Sequence, residues 1–278
     1  MSYLIRLVVI TLSVISSLSF FSNPKQEKYS KNLGHPWEKY DSSYFKMFQT
    51  VENIINYADT SPGAGKKNSL EYYNLVAEIL RKRFYHGYSY YNFSENPLSN
   101  LAGHAWSHLS AIVIPDDIMK HPMAACSQQS LVLVEIFKRN KINYRKIAFS
   151  GHFALEGYIE NKWRFFDTNM EPVLPSTRMS VGDLEAKGKI FVAYANTGLG
   201  GSYLHRLLSN PTYGSVNEKL ALKITVFHRI CLLLVSRWFL FTVFILSFAP
   251  FIKMDILKKV FSGIPRLSFT SLQSGRAA

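Results

Sequence analysis

Three side chains in the middle of the chain have the types and spacing to move a proton and attack a carbonyl: Cys126, His152 and Asp167. A cysteine nucleophile needs a base to take its proton, and the base needs a third group to hold it in one tautomer. The stretch SGHFALEGYIENKWRFFDTN, residues 150–169, carries a base and an orienting carboxylate. Its two halves alternate as strands about a turn at Glu160-Asn161 or one residue earlier. Side chains two apart share a face, so His152, Ala154 and Glu156 point one way, and Trp163, Phe165 and Asp167 share a face on the return strand. Either turn sets Asp167 opposite or diagonal to His152, with Cα or Cβ atoms about 4.5–8 Å apart. Alone, a strand histidine is an ordinary side chain and an Asp-Thr-Asn run is an ordinary turn. Cys126 is what gives the pair meaning.

The element that must deliver the thiol lies upstream. In MAACSQQSLVLVEIFKRNKINYR, the residues Met123, Cys126, Ser130, Leu133, Val134 and Phe137 recur at helical spacing. That spacing predicts a helix with Cys126 in its first turn, an end near Asn140 and a strand over about 143–149. A helix N-terminus favours negative charge placed on it. The small residues Ala124, Ala125 and Ser127 leave room for a substrate. Further upstream, NSLEYYNLVAEILRKRFYHG predicts a second helix, with Asn68 and Glu71 as a capping box and Gly87 to end it. Its apolar stripe is Leu70, Tyr73, Ala77, Leu80 and Phe84.

The whole chain has 278 residues and a formal charge of +13, which points to an anionic partner. No nucleic-acid motif accompanies the charge, so nucleic acid is excluded and anionic membrane lipid is the expected partner. Of the two cysteines, Cys231 sits in an apolar run, which rules out a disulfide framework. Residues 1–24 have Arg6 followed by an apolar run, Leu7 to Phe21, the build of a signal peptide or an uncleaved signal anchor. Residues 224–252 predict a transmembrane helix, with Arg237 the only charge from Ile230 to Ile252, and 253–278 a basic cytoplasmic tail. The domain between them, 35–210, is then expected on the extracytoplasmic side of a membrane. Lys25, Lys28 and Lys31 argue against that orientation.

The core of this domain resembles the transglutaminase-like superfamily, which belongs with papain-like cysteine enzymes. The resemblance covers residues 70–172 and is best over 126–169. It rests on joint spacing: Ser130 four after the cysteine, Arg145 nineteen after it in a KINYR segment, Glu156 four after His152, Trp163 eleven after it and Asp167 fifteen after it. Ala124 and Ala154 depart from the usual glycine and tryptophan, and the segment between Arg145 and His152 is short. The resemblance implies an α+β fold, with a Cys-bearing helix packed on an antiparallel sheet that carries His and Asp. It also implies a catalytic triad, with Cys126 as thiolate nucleophile, His152 as general base and acid and Asp167 as its orienting partner.

The expected activity is acyl transfer on an amide bond of a protein or peptide substrate, with hydrolysis (a peptidase or amidase) favoured over cross-linking. No cofactor is expected. The first oxyanion donor is the Cys126 backbone N–H, and the candidates for a second are Trp106 and His108. The competing reading is a non-catalytic accessory protein that holds a peptide or glycan during envelope or polysaccharide assembly. GHAWSHL, residues 103–109, is a decoy because no Trp or Asp follows it at the family spacing. His104 and His108 lack the glutamate and third ligand of a zinc site, so no metal is assigned. The glycine-rich run NTGLGGSYLHRLLSNPTYGS is expected to be a linker.

Overall fold

The computed structural model describes residues 3–22, 34–174 and 177–235. In chain order the helices before the sheet are α1 (Tyr3–Phe21), α2 (Ser42–Met47), α3 (Val51–Thr60), α4 (Leu70–Arg83), α5 (Pro97–Ala105), α6 (Pro115–Ile118) and α7 (Cys126–Arg139). Strands β1 (Tyr144–Ala148), β2 (Phe153–Ile159) and β3 (Lys162–Phe166) follow, then α8 (Val181–Ala186), α9 (Ile190–Ala193), α10 (Gly201–Leu207), β4 (Thr212–Tyr213) and α11 (Leu222–Val235). The four strands form one antiparallel sheet in the order β3-β2-β1-β4. The class is α+β.

Alternation along the strands divides the core in two. Tyr144, Leu155, Ile159 and Phe166 face α4 and α7 and join the larger cluster with Leu80, Leu133 and Phe137. Ile147, Ala154 and Phe165 face the other way, against Trp37, Val181, Leu184, Tyr194 and Leu204. The turn between β2 and β3 is two residues long, Ile159 pairing with Lys162. Glu160 (φ 52°) and Asn161 (φ 60°) are both left-handed, as a tight hairpin turn of this hand requires. Of the two expected turns, the one centred on Glu160-Asn161 is found. Glu160 also accepts a hydrogen bond from the Leu70 N–H at 3.0 Å, tying the hairpin to the start of α4.

The predicted stripe of α4 is buried throughout. Its N-cap is Ser69, whose side chain accepts from the Tyr72 N–H, one residue later than expected. After α4, Tyr85 pairs with Met123 in a parallel bridge that lays the chain ahead of α7 alongside residues 84–86. Arg83 is fully buried and fixes the same loop, donating to the Phe48, Met119 and His121 carbonyls between the rings of Phe45 and Phe84.

α7 packs closely on the sheet at Gly157. A Cβ there would stand 2.7 Å from Cζ of Phe137, a ring walled by Tyr73, Tyr144 and Phe166. Gly157→Ala is therefore expected to destabilise the fold by about 1–3 kcal/mol, the cost of overpacking a dense core. Thermal denaturation checks this.

No helix among the described residues is long and apolar enough to cross a membrane. This corrects the expectation of a signal anchor and a transmembrane helix flanking the domain. The apolar run Leu7–Phe21 gives only about 22 Å of helix against a hydrocarbon core of about 30 Å. The helix that contains it, α1, lies against α5 and α11, and Ser16 Oγ donates to the Val235 carbonyl at 3.0 Å. Of the expected 224–252 helix, the described part belongs to α11, which has 14 residues. Its remainder and the tail 253–278 lie outside the described residues. The expected glycine-rich linker is also corrected: it contains α10 and β4, and β4 adds a strand to the sheet beside β1.

Candidate active site

Cys126 occupies the first position of α7, directly after its N-cap Ala125. The first N–H groups of a helix have no intrahelical acceptor, so the thiol sits among backbone donors. The start of α7 is held by Gln128. Its carboxamide accepts from the N–H groups of Ser89 and Ala125 and donates to the carbonyls of Ser89 and Ile112. All four hydrogen-bonding positions of that side chain are filled, which fixes where the helix begins.

His152 immediately precedes β2, and Asp167 immediately follows β3. The observed register pairs Leu155 with Phe166, so Asp167 stands diagonal to His152 on one face. Their side chains meet there: His152 Nε2 lies 2.6 Å from Asp167 Oδ2. Both are buried, at 6% and 1% exposure. The carboxylate is fully engaged. Oδ2 also accepts from the Tyr194 hydroxyl at 2.6 Å, and Oδ1 accepts from the Asn169 and Met170 N–H groups at 3.1 and 3.0 Å. With Nε2 committed to Asp167, the ring's other nitrogen is left for Cys126, which lies near enough to favour the charged imidazole.

Burial opposes charge on His152, but the Asp167 carboxylate outweighs it, with help from Cys126, and holds the imidazole above its ordinary value. Burial likewise opposes ionisation of Asp167, yet His152, Tyr194 and the Met170 N–H hold it below the usual carboxylate range. Each group favours the charged form of the other. His152 and Asp167 thus meet at the end of the sheet, with Cys126 nearby at the start of α7.

Three more of the spacing residues, Arg145, Glu156 and Trp163, form a separate structural stack. Arg145 and Glu156 are directly opposed in the β1–β2 ladder, and Nε and Nη2 of Arg145 reach Glu156 Oε2 at 2.7 and 2.6 Å. The guanidinium lies between the rings of Trp163 and Tyr213, 4.4 and 4.6 Å from their centroids. Glu156 is fully buried, and its Oε1 accepts from the Val181 N–H at 2.6 Å. These residues share the triad's face of the sheet and anchor α8 to it.

Trp106 and His108, the candidates for a second oxyanion donor, lie together just after α5. Trp106 is 56% exposed and packs edge-on against His108. Neither hydrogen-bonds to Cys126 among the described residues. His108 instead lines a cavity with Ser127 and Phe153, the chain neighbours of Cys126 and His152.

Two residues at the site were not anticipated. Tyr194, in full contact with Asp167, lies far along the chain in a segment with no periodic or motif signal. His86 was hidden in the tail of the α4 pattern. It packs against His35 and Trp37, at 5.1 and 6.2 Å between ring centroids, and faces Asn169. Burial, with the nearby His35 and His152, pushes its imidazole down to about 4, so it is neutral near pH 7. Comparisons with protein-family models, with curated proteins and with solved structures return no match.

Proposed function

We propose that this chain is a transglutaminase-like cysteine enzyme that performs acyl transfer on an amide bond, with water as the usual acceptor. The observation that carries the reading is the buried Asp167–His152 pair with Cys126 near the imidazole at a helix N-terminus. In the first half-reaction His152 takes the thiol proton, and Cys126 Sγ attacks the amide carbon. The carbonyl oxygen gains negative charge and is met by the Cys126 N–H and its first-turn neighbours. His152 then gives its proton to the departing amine, leaving a thioester. In the second half-reaction His152 deprotonates water, which attacks the thioester and releases an acid and the free thiol.

Asp167 keeps the proton on Nε2 throughout. Tyr194 and the two backbone N–H groups keep Asp167 from rotating away. Hydrolysis is favoured over cross-linking because a cross-linker needs a second, amine-binding site, and the 35–210 region is small.

The test is thiol reactivity at neutral pH. Cys126 is expected to react with iodoacetamide at least tenfold faster than Cys231, and His152→Ala should remove most of that advantage. Mass-spectrometric peptide mapping reads both rates. A Cys126 no faster than Cys231, or unaffected by loss of His152, contradicts the proposal and leaves a binding role for the domain.

A further inference from the structure

A cleft made of two adjoining cavities runs along α7. Its near end is a cavity of about 270 Å³ beside Ser127 and Phe153, walled by Tyr88, Ile112 and Ile224. Its far end is a larger cavity of about 660 Å³ that reaches Lys138, Lys141, Lys219 and Arg229. Val113, Leu131 and Leu220 line both, so the two cavities share a floor.

The chemistry changes along the cleft. The near cavity is mostly apolar, and its volume falls below that of sites for drug-sized ligands, which suits a single apolar side chain. In the near cavity, the cation Lys146 is paired with Glu218 at 3.0 Å. At the far end Glu135 also lines the wall, but it is engaged by Arg139 at 3.0 Å. Lys138, Lys141, Lys219 and Arg229 are all exposed and have no carboxylate partner among the described residues. Four uncompensated cations around one apolar floor favour an anionic ligand.

We propose that this cleft binds the substrate as an extended peptide, with an apolar side chain beside the scissile amide and acidic side chains farther along. The proposal rests on the acyl-transfer reading above and adds the substrate class. Spacing follows from geometry. Ser127 and Lys138 lie on one helix eleven residues apart, about 16 Å at 1.5 Å per residue. An extended peptide advances about 3.3 Å per residue, so the acidic residues lie about five positions from the apolar one.

The test is binding, measured apart from turnover, with the full chain carrying Cys126→Ala. Fluorescein-labelled eight-residue peptides hold one Leu and, five residues away, two Glu in a Ser background, in both chain orientations. Anisotropy is expected to show one orientation binding at least tenfold more tightly than the same peptide with Lys in place of Glu, and more weakly as salt rises. The double variant Lys219→Glu/Arg229→Glu should reverse that preference. Ile224→Trp, which fills the near cavity, should weaken the Leu peptide and leave its Leu→Ser counterpart unchanged.

Equal binding of Glu and Lys peptides in both orientations overturns the proposal, as does a preference the double variant leaves intact. Binding to anionic vesicles in the absence of any peptide preference also overturns it. Because nothing here depends on turnover, a peptide-binding but unreactive protein would sink the acyl-transfer reading and keep the cleft.

Discussion

Asp167→Asn is expected to slow acylation of Cys126 by about three to four orders of magnitude, the scale seen when a triad carboxylate becomes an amide. The cause is the tautomer. Oδ1 of Asp167 accepts from the Asn169 and Met170 N–H groups, so an asparagine keeps its oxygen there and turns its NH2 toward His152. An amide NH2 only donates, which forces Nε2 of His152 to accept and puts the ring proton on the nitrogen facing Cys126. That nitrogen can then no longer take the thiol proton. The Tyr194 hydroxyl also loses the acceptor it now has at Oδ2.

The same substitution has a pH signature. His152 is held above its ordinary 6.5, so its contribution to stability is complete below that value and is lost as pH rises through the folded-state value. Asp167 is held below its ordinary 3.8, so its contribution is present above that value and is lost as pH falls through the folded-state value. Both contributions are therefore in force between about pH 4 and 6.5, where Asp167→Asn should cost most stability, about 3 kcal/mol for a broken buried pair. Denaturant titrations across that window check the stability. Histidine NMR should show the His152 value falling in the variant, since burial then acts on it without the carboxylate.

Arg145→Met carries the second large effect, and it falls on the fold. The change strands the Glu156 carboxylate, fully buried, with the Val181 N–H as its remaining partner. Burial already pushes Glu156 upward, opposed by that N–H and by Arg145. Without Arg145 the group must take a proton or stay as an uncompensated buried charge. The expected loss is about 3–5 kcal/mol at pH 7, smaller at acidic pH where protonation is easy. The double variant Arg145→Met/Glu156→Leu should recover much of it, because removing both partners leaves no isolated charge. Thermal or urea unfolding of the three variants at two pH values decides the matter.

The residues that place the triad were legible to different degrees, for physical reasons. Strand alternation and a two-residue turn are local signals, so the diagonal of His152 and Asp167 could be worked out from spacing alone. The position of Cys126 at a helix start followed from the apolar period of α7. Arg145, Glu156 and Trp163 were visible as a pattern, but their role was not. Only the ladder register shows that they stack on one another rather than on the thiol. Tyr194 and His86 come to the site through loops whose paths depend on long-range packing, and no local period encodes that.

The surroundings of Trp106 and His108, the candidates for a second oxyanion donor, were illegible for the same reason. Trp106 and His108 lie upstream in sequence, but Trp106 caps α5 and faces outward. The flanking segments misled differently. Apolar composition resembles a bilayer span whether the helix crosses lipid or packs on other helices, and α1 packs on α5 and α11. The basic charge was legible from composition, while its concentration at one end of the cleft required the fold.

The central claim is that Cys126 forms a thioester with His152 as its base. The most direct measurement is to react the full chain with p-nitrophenyl acetate at neutral pH, quench in acid and map the acetyl group by mass spectrometry. One acetyl group is expected on Cys126, released by hydroxylamine, which does not form in Cys126→Ala and is strongly reduced in His152→Ala. Acetylation spread over Cys231 and the lysines, with none preferred at Cys126, would contradict it.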